Sequence, residues 1–229
     1  MTSHPPLDPR IRRGTERMLA ARAAAPDPIG WKAGFGAPAS LAALEIDRPL
    51  VGFLTRSRLL PSGTSASVSS WTKPMLEAEV CAHLASDVGP GWTPAEALAA
   101  VGGWSVAIEL ADLSFAPTDV EAILASNIYH RHVILGPVVP ALPSPLSFSV
   151  TKDGSEVATT SDPEALTGDL GFVLASTADT LAACGAGLRA GDVVITGSVI
   201  PPLALEDGGA WSVAAGALDA VSLRLLPLA

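Results

Sequence analysis

The chain is short of cysteine, of charge and of aromatic rings, and each shortage narrows what it can be. Two cysteines in 229 residues, Cys81 and Cys184, make no disulfide framework and match no zinc-ligand spacing, as suits a reducing compartment. Charged residues are 16% of the chain, and the 14 basic ones are outnumbered by 23 acidic ones, for a net charge of −9. That balance argues against nucleic acid and anionic membrane as partners. The stretch from Met1 to Arg10 lacks the apolar core of a signal peptide, so a cytoplasmic protein is expected. Residues 133–151 carry no charge, yet Pro137, Pro140, Pro143 and Pro145 rule out a membrane-spanning helix there.

What is present is apolar and alanine-rich: 48% hydrophobic residues supply a sizeable core with only 5% aromatics. Residues 8–25 pattern as an amphipathic helix, with Pro9 in its first turn and Pro26 and Pro28 beyond its end. A strand-like piece follows at 29–36, a small helix at 38–46 and an extended piece at 47–54, and 61–72 reads as loop or exposed strand. Residues 74–86 and 101–112 pattern as strands. Between them Thr93, Pro94 and Glu96 mark a helix start. A short helix is expected at 117–125, and a hairpin at 148–158 turning on Asp153-Gly154. Residues 170–184 pattern as a helix stopped by Gly185, 188–198 as a turn and strand, and 215–226 as a last strand. Strands dominate and helices are short and scattered, which predicts an α+β fold on a rolled or sandwiched mixed sheet. The expected division is a segment 1–60 packing on the core and a β-roll domain 61–229, with a single domain as the alternative.

Glu77 and Glu79 lie in the otherwise apolar stretch Lys73–His83, and Glu109 in a similar one, Trp104–Asp112. Burying an unpaired carboxylate is expensive, so acidic residues in such runs need a partner. In a strand, residues i and i+2 share a face, roughly 6.5 Å apart. Two carboxylates so spaced can converge on one hard cation, with a third from a neighbouring strand. A cation would also give this acidic chain the positive centre that an acidic small molecule requires.

Four pieces in this order, Gly30-Trp-Lys-Ala-Gly34, Glu77-Ala-Glu79, Ala107-Ile-Glu-Leu-Ala-Asp112 and Gly191-Asp-Val-Val-Ile-Thr-Gly-Ser198, resemble the fumarylacetoacetate hydrolase superfamily in its 2-keto-4-pentenoate hydratase branch. The resemblance implies a mixed β-sandwich roll with short peripheral helices, and Mg²⁺ or Mn²⁺ held by Glu77, Glu79 and Glu109. It implies that Lys32 lies close to the substrate and that Thr196, Gly197 and Ser198 form a loop contacting the substrate carboxylate. Lys32, if desolvated beside Trp31 and Phe35, would have a lowered pKa suited to acid–base work, with His130 as the second candidate.

The implied substrate is a small 2-oxo acid whose carboxylate and carbonyl chelate the metal. The implied reaction is hydration of a 2-oxo-4-enoate to a 4-hydroxy-2-oxo acid by a homo-oligomer. Decarboxylation of an oxalocrotonate-like diacid, C–C hydrolysis of an acylpyruvate, and a non-catalytic partner subunit are the alternatives. The chain departs from the branch twice. It has Asp112-Leu-Ser114 where Asp-Ser-Arg is usual, and Ser126-Asn-Ile-Tyr-His130 where an Asp-Asn-Ala-Ser-like segment is usual. Asn127 is kept as a substrate-binding candidate, while Tyr129 and His130 fill the small serine positions.

Overall fold

A computed structural model describes residues 6–216 and 218–227. In chain order the elements are α1 (Pro9–Ala23), β1 (Pro28–Gly34), α2 (Pro38–Leu44), β2 (Leu50–Thr55), β3 (Thr64–Ala66), β4 (Pro74–Leu84), α3 (Pro94–Ala99), β5 (Val101–Asp112) and α4 (Val120–Ala125). They continue as β6 (His130–Leu135), β7 (Phe148–Lys152), β8 (Ser155–Thr160), α5 (Glu164–Thr167), α6 (Leu170–Ala183), β9 (Val193–Ser198), β10 (Leu203–Ala204), β11 (Gly209–Ala215) and β12 (Leu218–Leu225). The expected fold class is the observed one.

A seven-stranded sheet runs β2-β1-β9-β4-β5-β6, with β10 also on β4, and a five-stranded sheet runs β3-β12-β11-β7-β8. In the larger sheet β1 pairs parallel with β9, and its other pairings are antiparallel. The main core lies between the sheets. Leu76, Ala78 and Val80 of β4 and Val106, Ile108 and Leu110 of β5 meet Val150, Trp211, Val213, Val221 and Leu223 there. Burying each large aliphatic side chain contributes about 1.5–3 kcal/mol. Alternation along β4 and β5 sends every second residue to the opposite face, and the acidic residues sit there.

The helices start where their sequences allow. The Asp8 side chain accepts a hydrogen bond from the Arg10 amide ahead of α1, and Thr93 and Glu96 close a reciprocal capping box on α3. Helix α1 buries Ile11, Gly14, Thr15 and Met18 on one face. Gly14 lets α4 approach, since a Cβ there would lie 2.7 Å from Leu124 Cδ1. Asp153 (φ +51°) and Gly154 (φ +80°) make the turn between β7 and β8. Residues before 60 thus give β1 and β2 to the large sheet as well as helix α1, which packs against β2. Among the described residues, no helix is long and apolar enough to cross a membrane.

Candidate functional site

On β4 and β5, Glu77 stands opposite Glu109, and Glu79 opposite Ala107. The shared face brings one carboxylate oxygen from each of Glu77, Glu79 and Glu109 within 4.8 Å of the others. Glu79 and Glu109 are fully buried, while Glu77 is partly exposed to a cleft. Lys32 arrives from β1, its Nζ donating to Glu109 Oε1 and, at 3.2 Å, to the Ile128 carbonyl. Its stem passes over Gly52 of β2, where a Cβ would lie 2.9 Å from Lys32 Cγ.

Each buried glutamate has one oxygen tied down and one left over. Glu109 Oε1 takes Lys32 and, at 2.8 Å, His130 Nδ1, while Oε2 has no protein partner. Glu79 Oε2 accepts from the Gly197 amide at 2.7 Å, while Oε1 has none. Gly197 donates from φ +103°, a conformation open mainly to glycine. Buried carboxylate oxygens are rarely left without partners. Two of them beside a third carboxylate form an all-oxygen donor set that fits a hard divalent cation. The Cys81 thiol on the same face is pushed up to about 12 by burial, and is no competing soft ligand.

The electrostatics of the cluster are unbalanced without a cation. Burial, with Glu109 adding to it, pushes the Glu77 carboxyl up to about 7 against the pull of Lys32. Burial and the two other glutamates raise Glu79 well above the ordinary range. Burial would raise Glu109 too, but the Lys32 ammonium and His130 outweigh it and leave that carboxyl at about 2.

Lys32 corrects an expectation. Burial does oppose its charge, but the carboxylates of Glu109, Glu77 and Glu79 outweigh burial and raise its pKa. The expected lowering leaned on Trp31, Phe35 and a nearby cation; the Trp31 ring lies under α1, with the Arg22 guanidinium 4.3 Å from its centroid, and donates to Asp192 Oδ2 at 2.9 Å. Phe35 does flank the cleft. Lys32 is therefore an ammonium and a proton donor in the metal-free protein.

The cleft is about 170 Å³. Lys32, Glu77, Gly197 and Ser198 line it, and apolar walls come from Phe35, Leu113, Ile128, Tyr129, Leu166 and Ile200. Ser198 Oγ donates to the Ile200 carbonyl at 2.7 Å. The remaining candidates face elsewhere. Thr196 is buried, its hydroxyl donating to the Val80 carbonyl at 3.0 Å across the β9–β4 seam. Asn127 Oδ1 accepts from the Phe53 amide at 2.7 Å and its Nδ2 donates to the Phe53 carbonyl at 2.9 Å, so its polar atoms serve β2. His130 is buried behind Glu109. Burial lowers its pKa against the pull of Glu109, and Nε2 has no protein partner.

Two contributors escaped the sequence. Ile128 acts through its carbonyl, which no side-chain pattern reveals. Gly52 did have a signal, because an isolated glycine inside a strand marks a close approach. Asn127, Ile128 and Tyr129 all have left-handed backbone, with φ of +58°, +51° and +60°. That turn sets the Ile128 carbonyl on Lys32, the Tyr129 ring in the cleft and His130 on Glu109.

Fold and site together define a two-sheet β-roll whose large sheet carries a buried acidic cluster at the floor of an apolar cleft. The fumarylacetoacetate (FAA) hydrolase C-terminal family model matches residues 34–224, and the chain belongs to that family. It is 28% identical over 191 residues to a 2-keto-4-pentenoate hydratase of Burkholderia vietnamiensis, covering 80% of this chain and 72% of that one. It is 26% identical over 205 residues to a 4-oxalocrotonate decarboxylase of Pseudomonas putida, covering 86% and 77%. Among solved structures, the 4-oxalocrotonate decarboxylase of Pseudomonas putida G7 complexed with magnesium and adipate shares the fold with a TM-score of 0.82, at 23% identity over 91% of this chain and 81% of that one. Fumarylpyruvate hydrolase of Pseudomonas aeruginosa in complex with Mn²⁺ and pyruvate shares it at 0.65, with 17% identity over 86% and 88%.

Proposed function

We propose that the protein is a divalent-metal-dependent hydro-lyase, using Mg²⁺ or Mn²⁺ to hydrate a small 2-oxo-4-enoate to a 4-hydroxy-2-oxo acid. The observation that carries this is the pair of unpartnered buried oxygens, Glu79 Oε1 and Glu109 Oε2, beside Glu77 at the floor of an apolar cleft. The hydratase relative and the metal-bearing structures of the same fold support it.

A divalent cation held by Glu77, Glu79 and Glu109 would supply Lewis acidity, lowering the cost of the negative charge that enolisation puts on the 2-oxygen. The chain's own residues do the rest. Lys32 adds positive charge beside the substrate's carboxylate, donates the proton that ketonisation requires and, as the amine so formed, takes up the proton lost by the water that adds at C4. The Gly197 amide and His130 hold the tied oxygens of Glu79 and Glu109, fixing both carboxylates in place. Ser198 and Gly197 border the acid head, while Asn127 and Thr196 act by positioning the backbone around it. The apolar walls exclude bulk water and hold the tail.

Decarboxylation is the second reading, favoured by the Pseudomonas putida relative. A diacid needs a second positive centre, and among the described residues Lys32 is the only cationic side chain lining the cleft. The test is to supply the chelator-stripped protein and Mg²⁺ with 2-hydroxypenta-2,4-dienoate and identify the product. A 4-hydroxy-2-oxo acid that disappears with Glu77→Gln is expected. No turnover of this dienoate, together with CO₂ release from an oxalocrotonate-like diacid, would transfer the assignment to decarboxylation.

The same reading makes the protein a cytoplasmic homo-oligomer. Ile29, Leu59, Leu135 and Val193 are only partly buried on the outer face of the large sheet, in keeping with a covering subunit. A single species of monomer mass in light scattering would overturn the oligomer.

A further inference from the structure

We propose that Phe35 determines which tails the cleft accepts. Its ring is the surface on which a flat, conjugated or aryl tail lies, so planar 2-oxo acids are taken in preference to saturated ones of the same size. This rests on the 2-oxo acid assignment above and specifies the tail of that substrate. Phe35 lines the cleft and stays partly exposed. Its ring centroid is 6.4 Å from that of Tyr129, at an interplanar angle of 46°, and the Tyr129 ring lies 4.7 Å from that of Phe115. The chain holds five phenylalanines and one tyrosine, and half of those rings meet in this one wall. Tyr129 is 4% exposed and serves as backing, which leaves Phe35 as the aromatic surface open inside the cleft.

The wall begins beside the ammonium. Lys32 Nζ donates to the Ile128 carbonyl at 3.2 Å, and Tyr129 is the next residue. Phe35 follows Lys32 by three residues, a span of roughly 10 Å at most, so its ring stands within a short tail's reach of the acid head. The Phe35 backbone is left-handed, with φ +59°, where a bulky residue is strained and glycine is not. Glycine occupies both neighbouring positions, where the chain runs close to other elements. A Cβ at Gly34 would lie 3.1 Å from Ile128 Cγ2, and one at Gly36 3.0 Å from the Thr167 carbonyl oxygen. The one large side chain of this segment is thus kept at a strained position, and its ring is packed on Tyr129 at the cleft wall.

The chemistry of the wall favours a flat ligand. An aromatic ring holds a second π system in offset or tilted contact with an attraction beyond that of the area buried. A conjugated tail is already planar, whereas a saturated one gives up torsional freedom to lie against the ring. The tail is also uncharged, since the apolar walls offer a second carboxylate no counter-ion. The dienol form of the proposed substrate, conjugated from its carboxylate to its tail, meets this description. Its hydrated product has a tetrahedral C4 and does not, so the wall also favours product release.

The test titrates ligands that share one head calorimetrically into the Mg²⁺-loaded protein. They are pyruvate (head alone), benzoylformate (flat ring) and cyclohexylglyoxylate (saturated ring with the same number of carbons). In the unsubstituted protein benzoylformate should bind about three- to tenfold tighter than cyclohexylglyoxylate, although the saturated ring is the more hydrophobic. Phe35→Leu should erase that preference while pyruvate binds within twofold of its original affinity, and Phe35→Tyr should keep it. Benzoylformate binding no tighter than cyclohexylglyoxylate in the unsubstituted protein would overturn the role of Phe35 and leave the 2-oxo acid site standing. So would a preference that survives in Phe35→Leu or is lost in a folded Phe35→Tyr. Should Phe35→Leu fail to fold, the unsubstituted protein and Phe35→Tyr still decide. Failure of pyruvate itself to bind in the presence of Mg²⁺ would overturn both readings.

Discussion

Glu77 and Glu109 face each other across adjacent antiparallel strands, yet their carboxyls sit at opposite ends of the scale, one pushed up to about 7 and the other down to about 2. Burial acts on both. The difference is that Lys32 and His130 bind Glu109 directly, while Glu77 meets Lys32 only through space. One pair of residues thus combines a permanent anion with a carboxyl whose charge waits for a cation.

That asymmetry separates two substitutions which both remove a carboxylate. Glu109→Gln leaves the Lys32 ammonium buried without its main partner and should destabilise the protein by about 3–5 kcal/mol. Glu77→Gln removes an uncomfortable carboxyl and should leave the metal-free protein as stable as before, or slightly more so. Both should abolish tight Mg²⁺ or Mn²⁺ binding. Urea denaturation with calorimetric metal titration checks the pair, and equal loss of stability in the two variants would contradict the assignment of Lys32 to Glu109.

The pH dependence follows from Glu77. Its carboxyl titrates near 7 in the folded protein against 4.5 as a free side chain, so between those values the folded state holds a proton that the unfolded state has lost. Stability of the metal-free protein should therefore fall, through this group, as pH rises from 4.5 to 7. A cation must displace the same proton, so its affinity should weaken by about tenfold or more per pH unit on acidification below 7, with Glu79 adding a second proton. Repeating the metal titration in buffers of different ionisation enthalpy counts the protons released. A count of zero at pH 6 would refute this account.

The acidic cluster was legible because period-two alternation is a local property: Glu77, Glu79 and Glu109 each sit between residues that belong in a core. The caps of α1 and α3 and the Asp153-Gly154 turn were readable for the same reason. What could not be read depended on distant partners. β11 is mostly small residues around Trp211, and only β7 and β12 on either side make it a strand. β6 opens on His130-Arg131-His132, too polar to read as a buried strand. The left-handed run 127–129 contains no glycine and is enforced by Phe53, which is 74 residues away in sequence. Trp31, the neighbour of Lys32 in the chain, says little about its surroundings, because consecutive strand residues point to opposite faces.

Gly52 tests whether the path of Lys32 matters. In Gly52→Ala the new Cβ would lie 2.7 Å from Asn127 Oδ1 and 2.9 Å from Lys32 Cγ, so one or both side chains must shift. The expected cost is about 1–3 kcal/mol of stability. Turnover of the 2-oxo-4-enoate should fall by about tenfold or more as the ammonium leaves its place. Wild-type turnover in Gly52→Ala would show that the ammonium's placement is not critical.

Asn127 tests the positioning role most directly, because its side chain lies off the cleft wall. Asn127→Ala leaves the Phe53 amide and carbonyl without partners inside the protein and frees the left-handed turn, at about 2–3 kcal/mol. Asn127→Asp keeps the acceptor for the Phe53 amide but cannot donate to its carbonyl, and so should recover only part of the loss. If the turn is what carries the Ile128 carbonyl to Lys32 and His130 to Glu109, kcat should drop in Asn127→Ala, with Mg²⁺ affinity reduced as His130 loosens. A substrate-binding role would show instead as a raised KM with kcat and metal affinity intact. Steady-state kinetics at saturating Mg²⁺, paired with metal titration of the same variant, therefore distinguishes a residue that touches the substrate from one that shapes the backbone around it.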